Sequence, residues 1–354
     1  MTADSRPGAP AIGVSGLWQV FGDGANAALS AGLKNDAATS DGVAHSLREA
    51  GLIPAVQDAT FEVADGELFV IMGLSGSGKS TLVRCISRLV EPTAGKVELF
   101  GEDILTANKK RMTELRRDKL GMVFQHFGLF PHMTVLDNVA FPLKMKGVGS
   151  ADRRKRAEEV VRLVGLEGRE DSYPRQLSGG QRQRVGIARS LAVNPDVWFL
   201  DEPFSALDPL IRRQLQDEFL NIQATLKKSI VFITHDIGEA LKLADRIAIM
   251  RDGAIVQIGT PTEIVLNPVD GYVAEFSRDI PRGQHMTLGA LMEPIEPHEG
   301  MDSGPVLRSS MTLNDALSAC ARTFEPIPVR DGDGKVVGVV DPDKLARAVG
   351  EAQS

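Results

Sequence analysis

The chain has little cysteine: Cys85 and Cys320 are its two thiols in 354 residues, far apart and in no C-x-x-C spacing. That excludes a disulfide framework and a thiolate metal centre, and it fits a reducing compartment. No apolar run approaches the roughly 20 residues of a membrane span, so any membrane role has to come through a partner. Positive charge is not in excess. Against 47 acidic residues stand 40 Lys and Arg, for a net charge of −7, and nothing points to nucleic acid as the main partner. Residues Met1 to Gly13 are rich in Pro, Ala and Gly and lack the apolar core of a signal peptide. What is present, 43% hydrophobic and 25% charged residues, is the composition of a soluble globular protein of one to three domains.

The chain is organised around Leu68 to Thr81. Leu68 to Met72 is a short run without polar alternation, as in a buried parallel strand. It leads into Gly73-x-x-Gly76-x-Gly78-Lys79-Ser80, which fits the phosphate-binding pattern G-x-x-x-x-G-K-[ST], and then into helical spacing from Thr81 to Leu89. Phosphate oxygens need several converging backbone N–H donors, and glycines let the backbone approach without a Cβ in the way. The following helix turns its positive end to the anion. Lys79 can bridge the β- and γ-phosphates, and the Ser80 hydroxyl can ligate Mg²⁺.

Around this stretch the sequence predicts alternating strands and helices, a parallel α/β core with antiparallel additions. A first strand runs from Ile12 to Phe21. Residues 22–50, rich in Ala, Gly, Asn, Asp and Ser, read as an insertion, partly helical around Val43 to Ala50, before the strand pattern resumes over Val56 to Val63. Asp65-Gly66 carries a hairpin-turn signal. Leu120 to Gln125 is another short apolar run. The segment from His126 to Leu143 is apolar and broken by prolines, unlike a solvated loop, whereas Arg153 to Arg156 reads as a solvated basic helix face. Leu177-Ser178-Gly179-Gly180-Gln181 opens a helix. Val197 to Leu200 is a buried strand ending on Asp201-Glu202, which the resemblance given below implies to lie beside the P-loop. Ser205 to Asp208, a helix from Pro209 to Leu226 and a strand ending at His235 follow. After Phe276 the texture changes: 277–284 reads as a linker, and residues from His285 onward as a small second unit of helices over Thr312 to Arg322 and Pro342 to Val349 with strands over Ile327 to Val329 and Lys335 to Val340.

The P-loop, Gln125, the Leu-Ser-Gly-Gly-Gln run, Asp201-Glu202, Ser205 to Asp208 and His235 stand in the order found in ATP-binding cassettes. From residue 12 to about 276 the chain resembles the ATPase subunit of ABC transporters. The resemblance implies a P-loop NTPase core with an antiparallel β subdomain and a helical subdomain, and ATP and Mg²⁺ as cofactors. It implies that Gly73, Ser75, Gly76, Ser77, Gly78, Lys79, Ser80 and Thr81 hold the phosphates, and that Ser80, Asp201 and Gln125 serve the metal. Glu202 is then the general base, Gln125 and His235 sense the γ-phosphate, and Phe21 stacks on adenine, with Trp18 as its rival. Ser178, Gly179, Gly180 and Gln181 form a second anion site that completes the P-loop of another copy, and Asp208 communicates across that sandwich. The implied assembly is a homodimer, bound through transmembrane permease subunits to the cytoplasmic face of the plasma membrane, served by a substrate-binding protein, with no nucleic acid.

The wording from Phe69 to Thr81, the stretch from Phe204 to Arg212 and the insertion after Phe21 resemble the glycine betaine/proline importers, and the tail, 285–350, resembles one CBS repeat. These imply uptake of a quaternary ammonium compound or proline. The solute stays open among choline, glycine betaine, carnitine, proline betaine and proline, with another small solute such as an amino acid, or a soluble ABC ATPase, as the alternatives. Asp341 and Lys344 stand where nucleotide-binding CBS repeats have Thr or Ser and Asp, so the tail is expected not to bind an adenine nucleotide.

Overall fold

The computed structural model describes residues 10–35, 39–124, 128–205, 207–278, 288–298, 307–309, 311–320, 326–331 and 334–350. Backbone contacts divide the chain into two compact units: Met1–Asp236 with Leu243–Ile258, and Ile237–Lys242 with Gly259–Ser354.

In chain order the first unit holds β1 (Ile12–Phe21), α1 (Ala25–Leu33), α2 (Ser40–Glu49), β2 (Ile53–Val63), β3 (Leu68–Met72) and α3 (Lys79–Ile86). Next come β4 (Ala94–Leu99), β5 (Glu102–Asp103), α4 (Lys109–Asp118), β6 (Leu120–Val123), α5 (Val135–Met145) and α6 (Ser150–Leu163). They are followed by α7 (Gly179–Ala192), β7 (Val197–Asp201), α8 (Pro209–Leu226) and β8 (Ser229–Thr234). After α9 (Ile237–Leu243), all but the last residue of which belongs to the second unit, the first unit resumes with β9 (Arg246–Arg251) and β10 (Ala254–Gly259).

The strands form one sheet in the order β5-β4-β1-β2-β10-β9-β3-β8-β7-β6. Its two halves follow from two sequence patterns. β2 alternates buried and exposed residues along Asp58 to Val63, as a strand with one solvated face must, and it pairs antiparallel with β1. β3, β7 and β8 are buried at every position, which suits strands covered on both faces, and they pair in parallel. The stacked rings of Phe61 and Phe69, 5.0 Å apart, join the two halves. On the α8 side Trp198, Phe204, Phe219 and Phe232 pack in one aromatic cluster and fix that helix against β7 and β8.

Three expectations need correction. Asp65-Gly66 makes a turn but no hairpin, because β2 and β3 are not neighbours; β3 instead lies between β9 and β8. The strand ending at Asp201 is not beside the P-loop strand either, since β8 lies between them. The insertion is folded throughout its described length as two helices, α1 as well as α2. Leu29, Val43, Ala44 and Leu47 close over Trp18 and Val20 of β1 to make a separate small core. Trp18, 1% exposed, belongs to that core.

Of the basic run on α6, Arg154 and Lys155 are exposed and Arg153 and Arg156 half-buried; Arg154 pairs with Glu158 (2.8 Å) and Arg156 with Glu159 (3.3 Å). Both cysteines are free and buried, and burial pushes the Cys85 thiol up to about 12.

The second unit carries α10 (Pro261–Leu266) and α11 (Gly271–Ser277), then a four-stranded sheet. Its order is 293–298, 336–340, 327–330, 307–308, with helices at Leu313–Cys320 and Pro342–Gly350. The strands Glu293–His298 and Leu307–Arg308 were not expected from the sequence. Asp341 starts the last helix: its carboxylate accepts from the Asp343 N–H (2.8 Å), which fixes it as a cap. Most of the linker, 279–284, lies outside the described residues.

Candidate active site

The P-loop turns from β3 into α3 as the strand–loop–helix pattern requires. Gly78, with φ +98°, caps α3 without a side chain, so the first N–H groups of the helix face outward from the turn. A Cβ on Gly78 would run into the Ala55 carbonyl oxygen, while one on Gly76 (φ +83°) would meet nothing within 4 Å. The loop is thus tight on one side and open on the other. Leu74, Ser75 and Gly76 are exposed, while Ser77 is buried with its hydroxyl unpartnered. Thr81, on the first turn of α3, is half-buried.

Lys79 is 5% exposed, and its Nζ donates to the carbonyls of Gly73 (2.8 Å) and Leu74 (2.9 Å). The ammonium is folded back across the mouth of the loop. Burial lowers its pKa, countered by the charges of Glu202 and Asp201. The Ser80 hydroxyl donates to Asp201 Oδ1 (3.0 Å), across the width of β8. One hydroxyl and one carboxylate oxygen are hard ligands. Among the described residues no group of three or more His, Cys, Asp or Glu could hold an ion alone. The hydroxyl–carboxylate pair fits Mg²⁺, which takes one or two protein oxygens and fills its shell with phosphate and water.

Asp201 is 6% exposed. Burial raises its pKa, against the hydrogen bond from Ser80 and the charge of Arg84. A carboxyl whose folded pKa is raised binds more protons folded than unfolded. Its stability contribution therefore falls as pH climbs from the ordinary carboxylate value through the raised one. Asp201→Asn keeps an acceptor for Ser80 and removes that charge. The nucleotide-free variant should melt at higher temperature than the parent at neutral pH, with the gap closing at acid pH, and should lose the Mg²⁺-dependent part of its stabilisation by ATP. Thermal scans against pH and Mg²⁺ measure both; an unchanged melting temperature would remove the desolvation argument.

Glu202 follows in the left-handed region, φ +45°, which a residue with a side chain adopts only when its surroundings hold it there. Its N–H donates to the Ile233 carbonyl (3.1 Å), and its own carbonyl accepts the Ser205 hydroxyl (3.0 Å). The turn aims its carboxylate at His235, with Nδ1 and Oε2 3.2 Å apart. Lys79, Ser80, Asp201, Glu202 and His235 thus form one linked set at the ends of β3, β7 and β8. Gln125 lies outside the described residues.

The second motif is a pair of helix starts. Ser178 caps α7 in a reciprocal box with Gln181: the Gln181 N–H donates to Ser178 Oγ (3.2 Å), and the Ser178 N–H to Gln181 Oε1 (2.9 Å). Asp208 caps α8 by accepting the Ile211 N–H (3.1 Å). A Cβ on Gly180 would come 2.7 Å from Ile211 Cγ2, and one on Gly179 3.6 Å from Leu207 Cδ2, so the two N-termini lie side by side. Sequence reading missed Arg212, whose guanidinium donates to the Leu207 carbonyl (3.1 Å) and to Asp236 (3.2 Å). It ties the residue before Asp208 to the residue after His235. Phe21, at the end of β1, is 42% exposed, free to meet a ligand as Trp18 is not. In the 126–143 segment, buried Asn138 binds the Phe130 backbone at both its N–H (2.8 Å) and its carbonyl (3.1 Å). Phe130 packs on Phe141, ring centres 4.5 Å apart, with the Arg189 guanidinium over its face.

Residues 56–205 match the family model described as ABC transporter. Over 340 residues the chain is 51% identical to the trimethylamine N-oxide transport system ATP-binding protein TmoW of Pelagibacter ubique, across 96% of this chain and 97% of the relative. The chain belongs to the ATP-binding subunits of ABC transporters. As such a subunit it is an ATPase. This ABC subunit is also 48% identical over 294 residues to the glycine betaine transport ATP-binding protein OpuAA of Bacillus subtilis, across 83% of its own length and 68% of the relative's. Among solved structures it is similar to the ATP-binding cassette MJ0796 in a dimeric post-hydrolysis state bound to ADP and Pi. That likeness has TM-score 0.58 and 32% identity and covers 71% of this chain and 98% of that one. Among the described residues no helix of this ABC subunit is long and apolar enough to cross a membrane.

Proposed function

We propose that this chain is the ATP-hydrolysing subunit of an importer for a small solute with a trimethylated, positively charged nitrogen. The observation that carries the solute class is the near end-to-end likeness, 51% identity across 97% of the relative, to a trimethylamine N-oxide subunit. Subunits named for glycine betaine, proline betaine, carnitine and choline match at 44–53% identity. Trimethylamine N-oxide, betaine, carnitine and choline share three methyls on a cationic nitrogen; proline does not.

In this reading Gly73 to Thr81 hold the phosphates of ATP, and Lys79 leaves its carbonyls for them. Ser80 and Asp201 hold Mg²⁺, in part through water, with Gln125 as a further ligand. Glu202 takes the proton of the attacking water, His235 contacts the γ-phosphate, and Phe21 carries the adenine. Ser178 to Gln181 of a second copy close the site, with Asp208 at the join, so two chains form a head-to-tail sandwich. The dimeric cassette of similar fold supports this assembly. Permease subunits bind the face around Phe130, a substrate-binding protein delivers the solute, and the subunit works at the cytoplasmic face of the membrane. Residues 1–276 act as the cassette and 285–350 as a single CBS-like unit after the 277–284 linker.

The test is reconstitution with its permease in vesicles. ATPase should rise severalfold with binding protein loaded with trimethylamine N-oxide, betaine or choline. Stimulation confined to sugars, metals or ordinary polar amino acids would remove the solute class and leave the motor.

A further inference from the structure

The insertion, residues 22–50, carries none of the chemistry described so far. Its second helix nevertheless borders the P-loop. Val43, Ala44 and Leu47 of α2 are buried in the small core with Trp18. Asp41, His45 and Arg48, spaced i, i+4 and i+7, form a separate polar stripe along one face. That stripe lines a cavity of about 720 Å³, whose other walls include Ile53 and Ala55 of β2, the P-loop's Gly76 and the Asp252–Gly253 turn. Gly76 is the residue whose Cβ direction is open. The cavity therefore adjoins the side of the loop that is free to meet phosphate, and its size is that of an ordinary small-ligand site, about 300–1,000 Å³.

We propose that α2 is a wall of the nucleotide site, and that this cavity takes the ribose and base of a nucleotide whose phosphates lie on the P-loop. The proposal rests on the ATP reading given above and extends it to the insertion. Two observations favour a nucleoside over a further anion. The stripe is mixed, with the Asp41 carboxylate two turns from Arg48 along the same face, and a carboxylate repels phosphate while accepting from sugar hydroxyls and an exocyclic amine. Ile53 lines the cavity, is 63% exposed and stands directly opposite Phe21 in the β1–β2 register. Directly paired residues of antiparallel strands share a face, so Phe21 and Ile53 together make an apolar platform at its edge.

The wall is tied to the loop. Arg48 Nη2 donates to the Asp252 carbonyl (3.1 Å), which also accepts from the Gln57 side chain. The Gly253 N–H then donates to the Ser77 carbonyl (3.0 Å). A continuous path of hydrogen bonds thus joins α2, the Asp252–Gly253 turn and the P-loop. Arg48 can act on the nucleoside directly or by holding this turn. His45 has no bond to the turn: its side chain is 73% exposed and sits 3.4 Å from Glu49.

The experiment is calorimetric binding to the full-length chain of ATP, ADP and inorganic tripolyphosphate, with Arg48→Ala and His45→Trp as variants. His45→Trp narrows the cavity from an exposed position and leaves the core alone. Both variants should bind ATP and ADP five- to fiftyfold more weakly than the parent. Tripolyphosphate, which lacks a nucleoside, should bind His45→Trp as it binds the parent. Unchanged ATP affinity in both variants would overturn the proposal, as would equal weakening of ATP and tripolyphosphate in His45→Trp. A parent that binds tripolyphosphate but gains nothing from the nucleoside of ATP would overturn it too. A parent that binds neither probe would overturn the ATP reading itself, and this proposal with it.

Discussion

Glu202→Gln should hold ATP and fail to turn it over. The substitution keeps side-chain volume and the strained turn, because the bonds that hold φ positive at this residue come from the backbone of Ile233 and the hydroxyl of Ser205. It removes only the basic oxygen that faces His235. Losing a general base costs about 10²–10⁴ in rate, while Lys79 and Ser80, proposed above to meet the phosphates, are untouched. Binding measured with labelled ATP should stay within a few-fold of the parent, and single-turnover phosphate release should fall by at least a hundredfold. A trapped ATP state should also accumulate as a dimer in gel filtration with ATP and Mg²⁺. Hydrolysis within a few-fold of the parent would return the base role to another group.

The parts of the site that sequence reading reached are those whose chemistry and local structure coincide. A short, fully apolar run such as Leu68–Met72 or Val197–Leu200 has one comfortable home, a strand covered on both faces, and the polar residues that follow it then stand at the end of the strand. The place of Asp201 and Glu202 at a strand end was legible for that reason, whereas His235 was singled out only through the resemblance to ATP-binding cassettes. Strand order was not legible. Asp65-Gly66 marks a turn, but a turn leading to a hairpin and one leading to a strand three places away in the sheet have the same local chemistry. Only pairing across the sheet tells them apart.

Other misses have similar causes. Ala25–Leu33 buries just Ala25 and Leu29, too little periodicity to reveal a helix in a stretch rich in Ala and Gly. Glu293–His298 reads Glu-Pro-Ile-Glu-Pro-His, and prolines argue against a strand except where an N–H need not pair. The strand lies at one edge of its four-stranded sheet, the place where prolines are tolerated. Arg212 carries no local signal at all. It sits mid-turn on a charged helix, and its role in tying Leu207 to Asp236 exists only once β7, α8 and β8 are assembled.

Two P-loop glycines should fail in different ways when given a methyl group. Both have positive φ, which costs about 1–2 kcal/mol for a residue with a Cβ. At Gly76 that is the whole cost to the folded protein, since the added Cβ meets nothing within 4 Å. At Gly78 the Cβ also collides with the Ala55 carbonyl and lies 3.4 Å from Gly253 Cα. β2 or the loop must then shift, and neither is a flexible side-chain end. Gly78→Ala should therefore melt clearly lower than Gly76→Ala in the absence of nucleotide. Gly76→Ala should lower the melting temperature by only a few degrees. With ATP the gap changes. In the proposed reading phosphate approaches the loop through the space that Gly76 leaves open, and a methyl there displaces one or two charge-assisted hydrogen bonds worth about 1.5–3 kcal/mol each. ATP affinity of Gly76→Ala should fall by about tenfold to about 10⁴-fold or a little more, and ATP should stabilise this variant far less than the parent. Thermal scans with and without Mg²⁺-ATP, paired with direct binding, separate the two effects. If Gly76→Ala binds ATP as well as the parent does, phosphate does not occupy the open side of the loop; if both variants melt alike without ATP, the contact with Ala55 does not constrain the turn.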